Sequence, residues 1–503
     1  MTDSPTDVDA TVAERPHRRK WRVNGGADAP LPELAAGLEA RRDQPAGSLG
    51  PERRVGRHAM QRRQHPTAAE RSTVIAACAV AVVAVCVACV VVFGSIEAVR
   101  SPVWNPVDEG AHFAYVQQIA EHGSLPVLGK TYVSEQVLAL GKGAYPRRVR
   151  TDPTHMGLAG DSYEAFQPPL YYAVAVPVFD LSGNFHTKVI LMRFFGLFLL
   201  VVTIGLYARL CRLLLGERWL LGLAAGTVVL AMPGVVVRCV TLSNLPLEMV
   251  LVMACVTELW IAVRRVAPGR LLVAGALLGL GISTDLFSVE LVPVYAACAA
   301  VVMWRRRTWR SVAWASAGGA LALALVAPWL VFNEVHYHSL TASGLAKSMQ
   351  ASTVNPQHVH YGLHLVADLT AKWLFSPALP QEWTVTSRPF LAWGTSALAL
   401  FVVPASLFLA LSLGRQLLPA GRWVLVVPWV FNVALCWYIS LGQQWLTMQP
   451  RYTYPTLPLL ALAMTAGALA ILRTRWPFVL TLAGFSVFLV VLWVGLLPQV
   501  RPG

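Results

Sequence analysis

The chain has 503 residues, of which 55% are hydrophobic and 14% are charged. A soluble globular domain carries about 25% charged residues, so this composition, with a mean hydropathy of +0.53, excludes that class. The formal net charge of +14 does not indicate nucleic-acid binding, because arginines between membrane spans raise the charge of any polytopic protein. The eight cysteines lie in or beside apolar runs and predict neither disulfides nor a zinc site.

Residues 1–72 are rich in Pro, Gly, Ala, Arg and Asp and lack hydrophobic periodicity, which is typical of a disordered segment. This segment is too long to begin a signal peptide, so we expect the apolar run after it to remain as a membrane anchor. Arginines close to that run, such as Arg62, Arg63 and Arg71, predict that the segment lies in the cytosol. We therefore divide the chain into a basic cytosolic tail, 1–72, and a transmembrane domain, 73–499.

Apolar runs of about 20 residues, the length that crosses a bilayer as a helix, recur through the second part of the chain. They predict spans near residues 74–94, 189–210, 218–237, 242–263, 270–285, 287–304, 312–332, 389–413, 422–441, 453–472 and 477–497. The predicted fold class is therefore an all-α polytopic membrane protein with about 11 transmembrane helices, or about 12 if residues 170–181 also cross.

The apolar segment 170–181 is short, follows Pro168-Pro169 and contains Pro177. If it does not cross the bilayer, the arginine-rich loops between the later spans all lie in the cytosol; if it crosses, they all lie outside, against the positive-inside bias. We therefore interpret it as a re-entrant or interfacial helix. Two long external loops follow from this topology, 95–188 and 333–388.

Asp108 and Glu109 come soon after the first span, between Pro106 and His112. The pattern predicts a short amphipathic helix on the membrane surface that ends at Gly123, with both acids in its first turn. The acids either only complement the helix N-terminus or form the acid/base end of an external active site. Glu109-x-x-His112 also has the spacing of a metal motif, but one copy assigns no metal ligand, so a divalent cation stays an open alternative.

Two further motifs carry polar groups at predicted membrane boundaries. Glu164 and Gln167 precede two prolines, which fix the approach to a membrane helix, although Tyr171 and Tyr172 would also suit an aromatic belt there. Near the end of the chain, Arg451 could bind a phosphate through two hydrogen bonds or could contact a lipid headgroup.

Most ionisable groups near the spans lie at one end of them. A charge in the middle of a bilayer costs at least about 2.5 kcal/mol, so such groups indicate a functional site. A transporter would more often distribute them through the full depth, whereas one-sided clustering suggests a cavity open to the external face. The clustered residues are Arg193, Arg238, Glu248, Asp285, Glu290 and Arg451.

In their order along the chain, these motifs resemble the GT-C superfamily of membrane glycosyltransferases, especially bacterial relatives of protein O-mannosyltransferases and lipid A aminoarabinose transferases. The resemblance covers roughly residues 74–472. The matching pieces are Pro106-Val107-Asp108-Glu109-x-x-His112-Phe113, Gln167-Pro168-Pro169-Leu170-Tyr171-Tyr172, Arg193, and Arg451-Tyr452 with Pro455.

The resemblance implies a GT-C-like helix bundle and a polyprenyl-phosphate-linked sugar donor, with transfer to an envelope glycan, lipid or protein on the outer side of the plasma membrane. By motif position, Asp108 is the expected general base. Glu109 is the carboxylate expected beside it in the catalytic centre. Arg451, with Arg193, would stabilise the leaving phosphate. The residues expected to bind substrate are His112, Glu164, Gln167, Arg193, Asn244, Arg451 and Tyr452.

The chain departs from this family at two places. Relatives often have Asp where this chain has Ser243-Asn244, and Lys near the position of Asp285. These departures leave a catalytically inactive envelope scaffold as one alternative. A transporter or lipid flippase is another, which predicts inverted repeats and charges at the membrane midplane.

Overall fold

A computed structural model describes residues 68–104, 108–140, 162–342, 362–363, 423–443, 450–472 and 475–496. The chain divides into two units, 1–64 and 65–503, and every described residue lies in the second. The predicted tail, 1–72, lies outside the described residues except at its end, where the first helix begins. The predicted span at 389–413 and most of the loop 333–388 lie outside them as well.

Every regular element among the described residues is a helix. The helices are α1 (Ala68–Arg100), α2 (Glu109–His122), α3 (Glu135–Leu140), α4 (Leu170–Phe179), α5 (Phe185–Leu215), α6 (Trp219–Leu230), α7 (Pro233–Val240), α8 (Leu245–Arg265), α9 (Gly269–Ile282), α10 (Leu291–Arg306), α11 (Trp309–Tyr337), α12 (Trp423–Gln443), α13 (Leu457–Ile471) and α14 (Trp476–Leu496). Short 3-10 turns occupy Tyr163–Phe166, Gly216–Arg218, Leu286–Glu290 and Pro450–Thr453.

Seven helical stretches in the described part of the chain are long and apolar enough to cross a membrane, and α9 and α13 are shorter apolar helices. One of the seven, Phe185–Leu230, has 46 residues and would be about 70 Å long if straight, more than twice the thickness of the bilayer core. It turns at Gly216, where φ is 55°, and so covers the predicted span 189–210 and the first part of the predicted span 218–237. The structure confirms an all-α polytopic membrane protein.

The predicted span 218–237 is not one helix. Helix α6 ends at Leu230, and a new helix, α7, begins at Pro233. Proline has no backbone N–H to donate and fits the first turn of a helix, so the break falls directly before it. The span prediction missed this break because the apolar run continues through it. As a result α7 carries Arg238 towards the pocket described below.

Helix α4 has ten residues and is therefore about 15 Å long, half the thickness of a bilayer core. It packs against α2 and α5. A helix of this length cannot cross a membrane alone, which agrees with the expectation of a re-entrant or interfacial segment at 170–181.

Helix α2 ends at Gly123, as predicted, because that residue adopts a left-handed conformation with φ of 62°. Its first nine residues, from Glu109 to Gln117, are all buried. Tyr115 stacks on Tyr172 of α4 with ring centroids 3.8 Å apart. The first half of α2 is thus enclosed by protein, and the expectation that it lies on a membrane surface is wrong for that half.

Helix α9 packs against α8 and α11, and glycines bring it close to α11. A Cβ on Gly275 of α9 would lie 2.1 Å from the backbone oxygen of Gly318 in α11, so only glycine fits there. Close backbone approach through small residues is a general means of packing helices in lipid. At another helix contact, Phe93 of α1 stacks on Trp493 of α14 with ring centroids 5.0 Å apart.

Candidate functional site

A pocket lies where five segments of the chain meet. These are the start of α2, the turn Tyr163–Phe166 with Gln167 after it, the connection from α7 to α8, Asp285 just before the 3-10 turn Leu286–Glu290, and the turn Pro450–Thr453. Its empty volume is about 560 Å³, counting space open to the outside. The lining residues are Asp108, Glu109, His112, Glu164, Gln167, Arg238, Thr241, Leu242, Ser243, Asn244, Leu245, Glu248, Asp285, Arg451 and Tyr452.

Eight of the nine residues predicted for the site line this pocket, and Arg193 does not. The sequence placed Arg238, Glu248 and Asp285 near the external face but did not include them in the site. The described structure adds them to the lining, together with the polar side chains of the α7–α8 connection.

Asp108 and Arg451 form an ion pair, although 343 positions separate them in the sequence. Nη1 of Arg451 donates to Oδ2 of Asp108, and the Tyr163 hydroxyl donates to Oδ1 at 3.0 Å. The backbone carbonyl of Asp108 accepts from the N–H groups of Ala111 and His112, so the side chain is anchored at the start of α2. Both carboxylate oxygens are therefore engaged.

The charges around Asp108 keep it ionised. Burial opposes ionisation, but the guanidinium groups of Arg451 and Arg238 outweigh it and hold the pKa of Asp108 below its ordinary value. His112 is neutral at pH 7, because burial lowers its pKa to about 4. Its Nδ1 lies 2.8 Å from the Tyr172 hydroxyl. The pocket thus combines an ionised carboxylate, two arginines and an uncharged imidazole.

Arg451 is held on more than one side. Its Nη2 donates to the Tyr452 hydroxyl at 3.2 Å, and the Tyr452 ring stacks on Phe287 with centroids 4.4 Å apart. Nε of Arg451 is buried and has no hydrogen-bond partner within the described ranges. A guanidinium with an unused donor is suited to an anionic oxygen.

Glu109 faces away from Asp108 into a second, fully buried ion pair. Its oxygens accept from Nε and Nη2 of Arg193 at 2.7 and 2.6 Å and from the backbone N–H of Trp104 at 3.0 Å. Glu109 is 0% exposed and Arg193 is 2% exposed. Arg193 also donates to the backbone carbonyls of Ala98, Ser101 and Pro102.

The placement of Arg193 differs from the expectation of a phosphate-binding residue. Its described donors are directed at Glu109, at the last turn of α1 and at the residues after that helix, and its side chain lies outside the pocket lining. The ion pair joins α5 to the first residue of α2, which follows Asp108 directly in the sequence. Glu109 is likewise saturated by Arg193 and Trp104, which leaves it poorly placed to exchange a proton with a substrate.

Glu164 lies in the turn Tyr163–Phe166 and is 7% exposed. Its Oε2 is buried without a hydrogen-bond partner among the described residues. Burial and the nearby charge of Asp108 raise the pKa of Glu164 to about 8. Asp108 and Glu164 are therefore neighbouring carboxyl groups with opposite protonation states at pH 7.

The two departures from the GT-C-like pattern contact each other. Nδ2 of Asn244 donates to Oδ2 of Asp285 at 2.9 Å and to the Thr284 carbonyl at 3.1 Å. The other Asp285 oxygen accepts from the backbone N–H of Phe287 at 2.9 Å. Burial raises the pKa of Asp285 to about 6. Asn244 and Asp285, which both depart from that pattern, thus form one hydrogen-bonded unit in the pocket wall.

The described residues contain no group of three or more His, Cys, Asp or Glu side chains arranged to hold a metal ion. In the Glu109-x-x-His112 motif, the carboxylate is bound by Arg193 and the imidazole contacts Tyr172.

No family model matches the chain, and no curated protein matches it. Among solved structures, the chain is similar to ArnT from Cupriavidus metallidurans bound to undecaprenyl phosphate, with 15% sequence identity and a TM-score of 0.36 over 80% of this chain and 77% of that one. A TM-score this low does not establish a shared fold. The described structure establishes a polytopic helical membrane protein with a charged, largely buried pocket.

Proposed function

We propose that the protein is an integral-membrane glycosyltransferase. It transfers a sugar from a polyprenyl-phosphate donor to a cell-envelope acceptor on the external face. The observation that carries the proposal is the contact between Asp108 and Arg451 in one pocket, because a base and a phosphate-binding cation must lie this close for the transfer. The order of the GT-C-like motifs supports it independently.

In the proposed reaction, a hydroxyl of the acceptor attacks the anomeric carbon of the donor while the bond from that carbon to the phosphate oxygen breaks. Asp108 accepts the hydroxyl proton, a role that typically contributes about 10²–10⁴-fold to the rate. Arg451 stabilises the charge that develops on the leaving polyprenyl phosphate.

The ion pair with Arg451 lowers the proton affinity of Asp108 and so weakens it as a base. Binding of the sugar donor would relieve this effect. A phosphate that binds Arg451 competes with Asp108 for the same guanidinium. Once Arg451 turns to the phosphate, the carboxylate loses its strongest neighbouring charge and its proton affinity rises. The base therefore becomes competent when the donor is bound.

Arg238 is the second cation for the phosphate, since it lines the same pocket and acts on the charge of Asp108. Gln167, Asn244 and Tyr452 supply polar contacts to the sugar or the phosphate, and neutral His112 lies beside them. We assign Glu109 and Arg193 to positioning: their pair fixes the start of α2, and with it Asp108.

The charge pattern along the helices supports an external pocket. Glu248, in the first turn of α8, lines the pocket, whereas Arg264 and Arg265 occupy the last turn of the same helix. Helix α10 likewise ends in Arg305 and Arg306. Basic ends of spans face the cytosol by the positive-inside rule, so the opposite, pocket-bearing ends face outside. The same rule keeps the tail 1–72 in the cytosol.

The test is the variant Asp108→Asn in membranes supplied with polyprenyl-phosphate sugars. We expect its transfer rate to fall by about 10²–10⁴-fold, because the amide cannot accept the proton. Asp180→Asn is the matched control, since Asp180 is exposed at the end of α4 and outside the pocket. Undiminished transfer by a normally expressed Asp108→Asn variant would contradict the assignment.

A further inference from the structure

Glu164 is a pocket carboxyl group that the reaction above does not use. It lies on the turn that precedes Gln167 and the double proline, and its side chain lines the pocket with Asp108 and Arg451. Tyr163 and Arg451 occupy both oxygens of Asp108. Oε2 of Glu164, in contrast, is buried and unpartnered within the described part of the chain.

An unpartnered, buried carboxylate oxygen is costly when it is charged, because nothing replaces its hydration. A protonated carboxyl avoids this cost and presents an O–H donor. Burial and the charge of Asp108 raise the pKa of Glu164 to about 8, so the neutral form prevails at pH 7. The charged or titratable groups that face Glu164 are Asp108 on α2, Arg451 on the turn Pro450–Thr453, Asp285 before α10 and Tyr172 on α4, with Gln167 on its own segment.

We propose that Glu164 is a neutral hydrogen-bond donor to the phosphate of the lipid-linked substrate, while Arg451 supplies the positive charge. This inference rests on the proposed function and assigns Glu164 a role distinct from that of the base. A carboxyl kept protonated in an enclosed site can donate to an oxyanion in the way that an amide or hydroxyl does. An ionised Glu164 would repel the same phosphate.

The proposal predicts that binding of a phosphodiester lipid weakens as pH rises. The probe is undecaprenyl methyl phosphate, which carries a methyl group in place of the sugar and does not titrate near neutral pH. For the purified full-length wild type, the apparent Kd should be constant near pH 7. Above about pH 8 it should rise by roughly tenfold per pH unit, the limiting slope for one linked proton.

Four other titratable groups of the pocket change protonation outside the range from about pH 7 to pH 9. The pKa of Asp285 is raised only to about 6, and that of His112 is lowered to about 4. The pKa of Asp108 lies below its ordinary value, and burial raises that of Tyr452 above its ordinary value of 10.0. None of these four groups is expected to titrate between about pH 7 and pH 9, and the variant Glu164→Gln, which keeps every other pocket group, assigns the pH dependence to Glu164.

The variant Glu164→Gln separates this role from a structural one. Its amide donates a hydrogen bond at every pH, so its Kd should match that of the wild type at pH 7 and vary less than about twofold up to pH 9. Glu164→Ala lacks the donor and should bind at least about tenfold more weakly at pH 7. Asp180→Asn, which removes an exposed acid, should keep the wild-type pH dependence.

The outcomes distinguish the inference from the proposed function. A flat Kd between pH 7 and pH 9 in the wild type would overturn the role of Glu164 without reference to any variant. A Glu164→Gln protein whose Kd depends on pH as in the wild type would also overturn it. In both cases the lipid still binds, so the proposed lipid-phosphate site would stand. A wild type that binds no undecaprenyl methyl phosphate at any pH would contradict the proposed function and the inference together.

Discussion

Asp108 and Glu109 are adjacent in sequence but have different surroundings. Successive residues of a helix point about 100° apart, so one carboxylate faces the pocket and the other faces the buried guanidinium of Arg193. Arg451 and Arg193 likewise look equivalent in the sequence as arginines at span ends. Which arginine meets which acid depends on helix packing, and the sequence could not predict it.

The variant Glu109→Gln should lower stability more than Asp108→Asn. Removal of one partner of a fully buried ion pair leaves an uncompensated charge and costs about 3–5 kcal/mol. The Asp108–Arg451 pair is partly exposed, so its loss costs less. Thermal unfolding of both variants in detergent measures the difference. A Glu109→Gln protein as stable as the wild type but inactive would instead point to a catalytic role for Glu109.

At the scale of elements, the connection between α6 and α7 decides part of the pocket. The sequence predicted one span through 218–237 because the apolar run is continuous, yet the chain breaks before Pro233. Arg238 lies on α7, the helix that follows the break, and lines the pocket; the sequence placed it near the external face but did not include it in the site. The Met232-Pro233 dipeptide was the available signal for the break, since the residue before a proline is biased away from helix.

The contact between α9 and α11 depends on closely packed glycines, and Gly275 has the shortest of these approaches between the two helices. Gly275→Ala would place a Cβ 2.1 Å from the backbone oxygen of Gly318, so the helices must separate. We expect a loss of about 1–3 kcal/mol in the free energy of unfolding. Gly319→Ala is the matched control on α11, because a Cβ there meets nothing within 4 Å. Equal thermal midpoints for the two variants would show that the contact is looser than described.

For the whole molecule, the sequence predicted the helical class and most of the pocket residues, because both depend on local patterns. Apolar runs mark spans, and Asp108, Glu164, Gln167 and Arg451 each lie in a short motif at a span boundary. The contacts between those motifs are long-range. The hydrogen bond from Asn244 to Asp285 is an example: two residues that look like separate departures from a family pattern are partners.

The proposed orientation predicts the accessibility of engineered thiols. Ser124→Cys places a thiol at an exposed position after α2, in the loop 95–188 that the proposed topology puts outside, and Arg310→Cys places one at an exposed position near the start of α11. A membrane-impermeant thiol reagent should label the first in intact cells and the second only after permeabilisation. The parent chain is the control, because its described cysteines are buried or partly buried. Labelling in the reverse order would place the pocket in the cytosol.

The ion pair between residues 108 and 451 also has a consequence for biogenesis. A ribosome must deliver nearly all the helices to the membrane before Arg451 emerges to meet Asp108. Until that moment the nascent protein has only half of the proposed site, so the proposed sugar transfer cannot begin on an incompletely inserted chain.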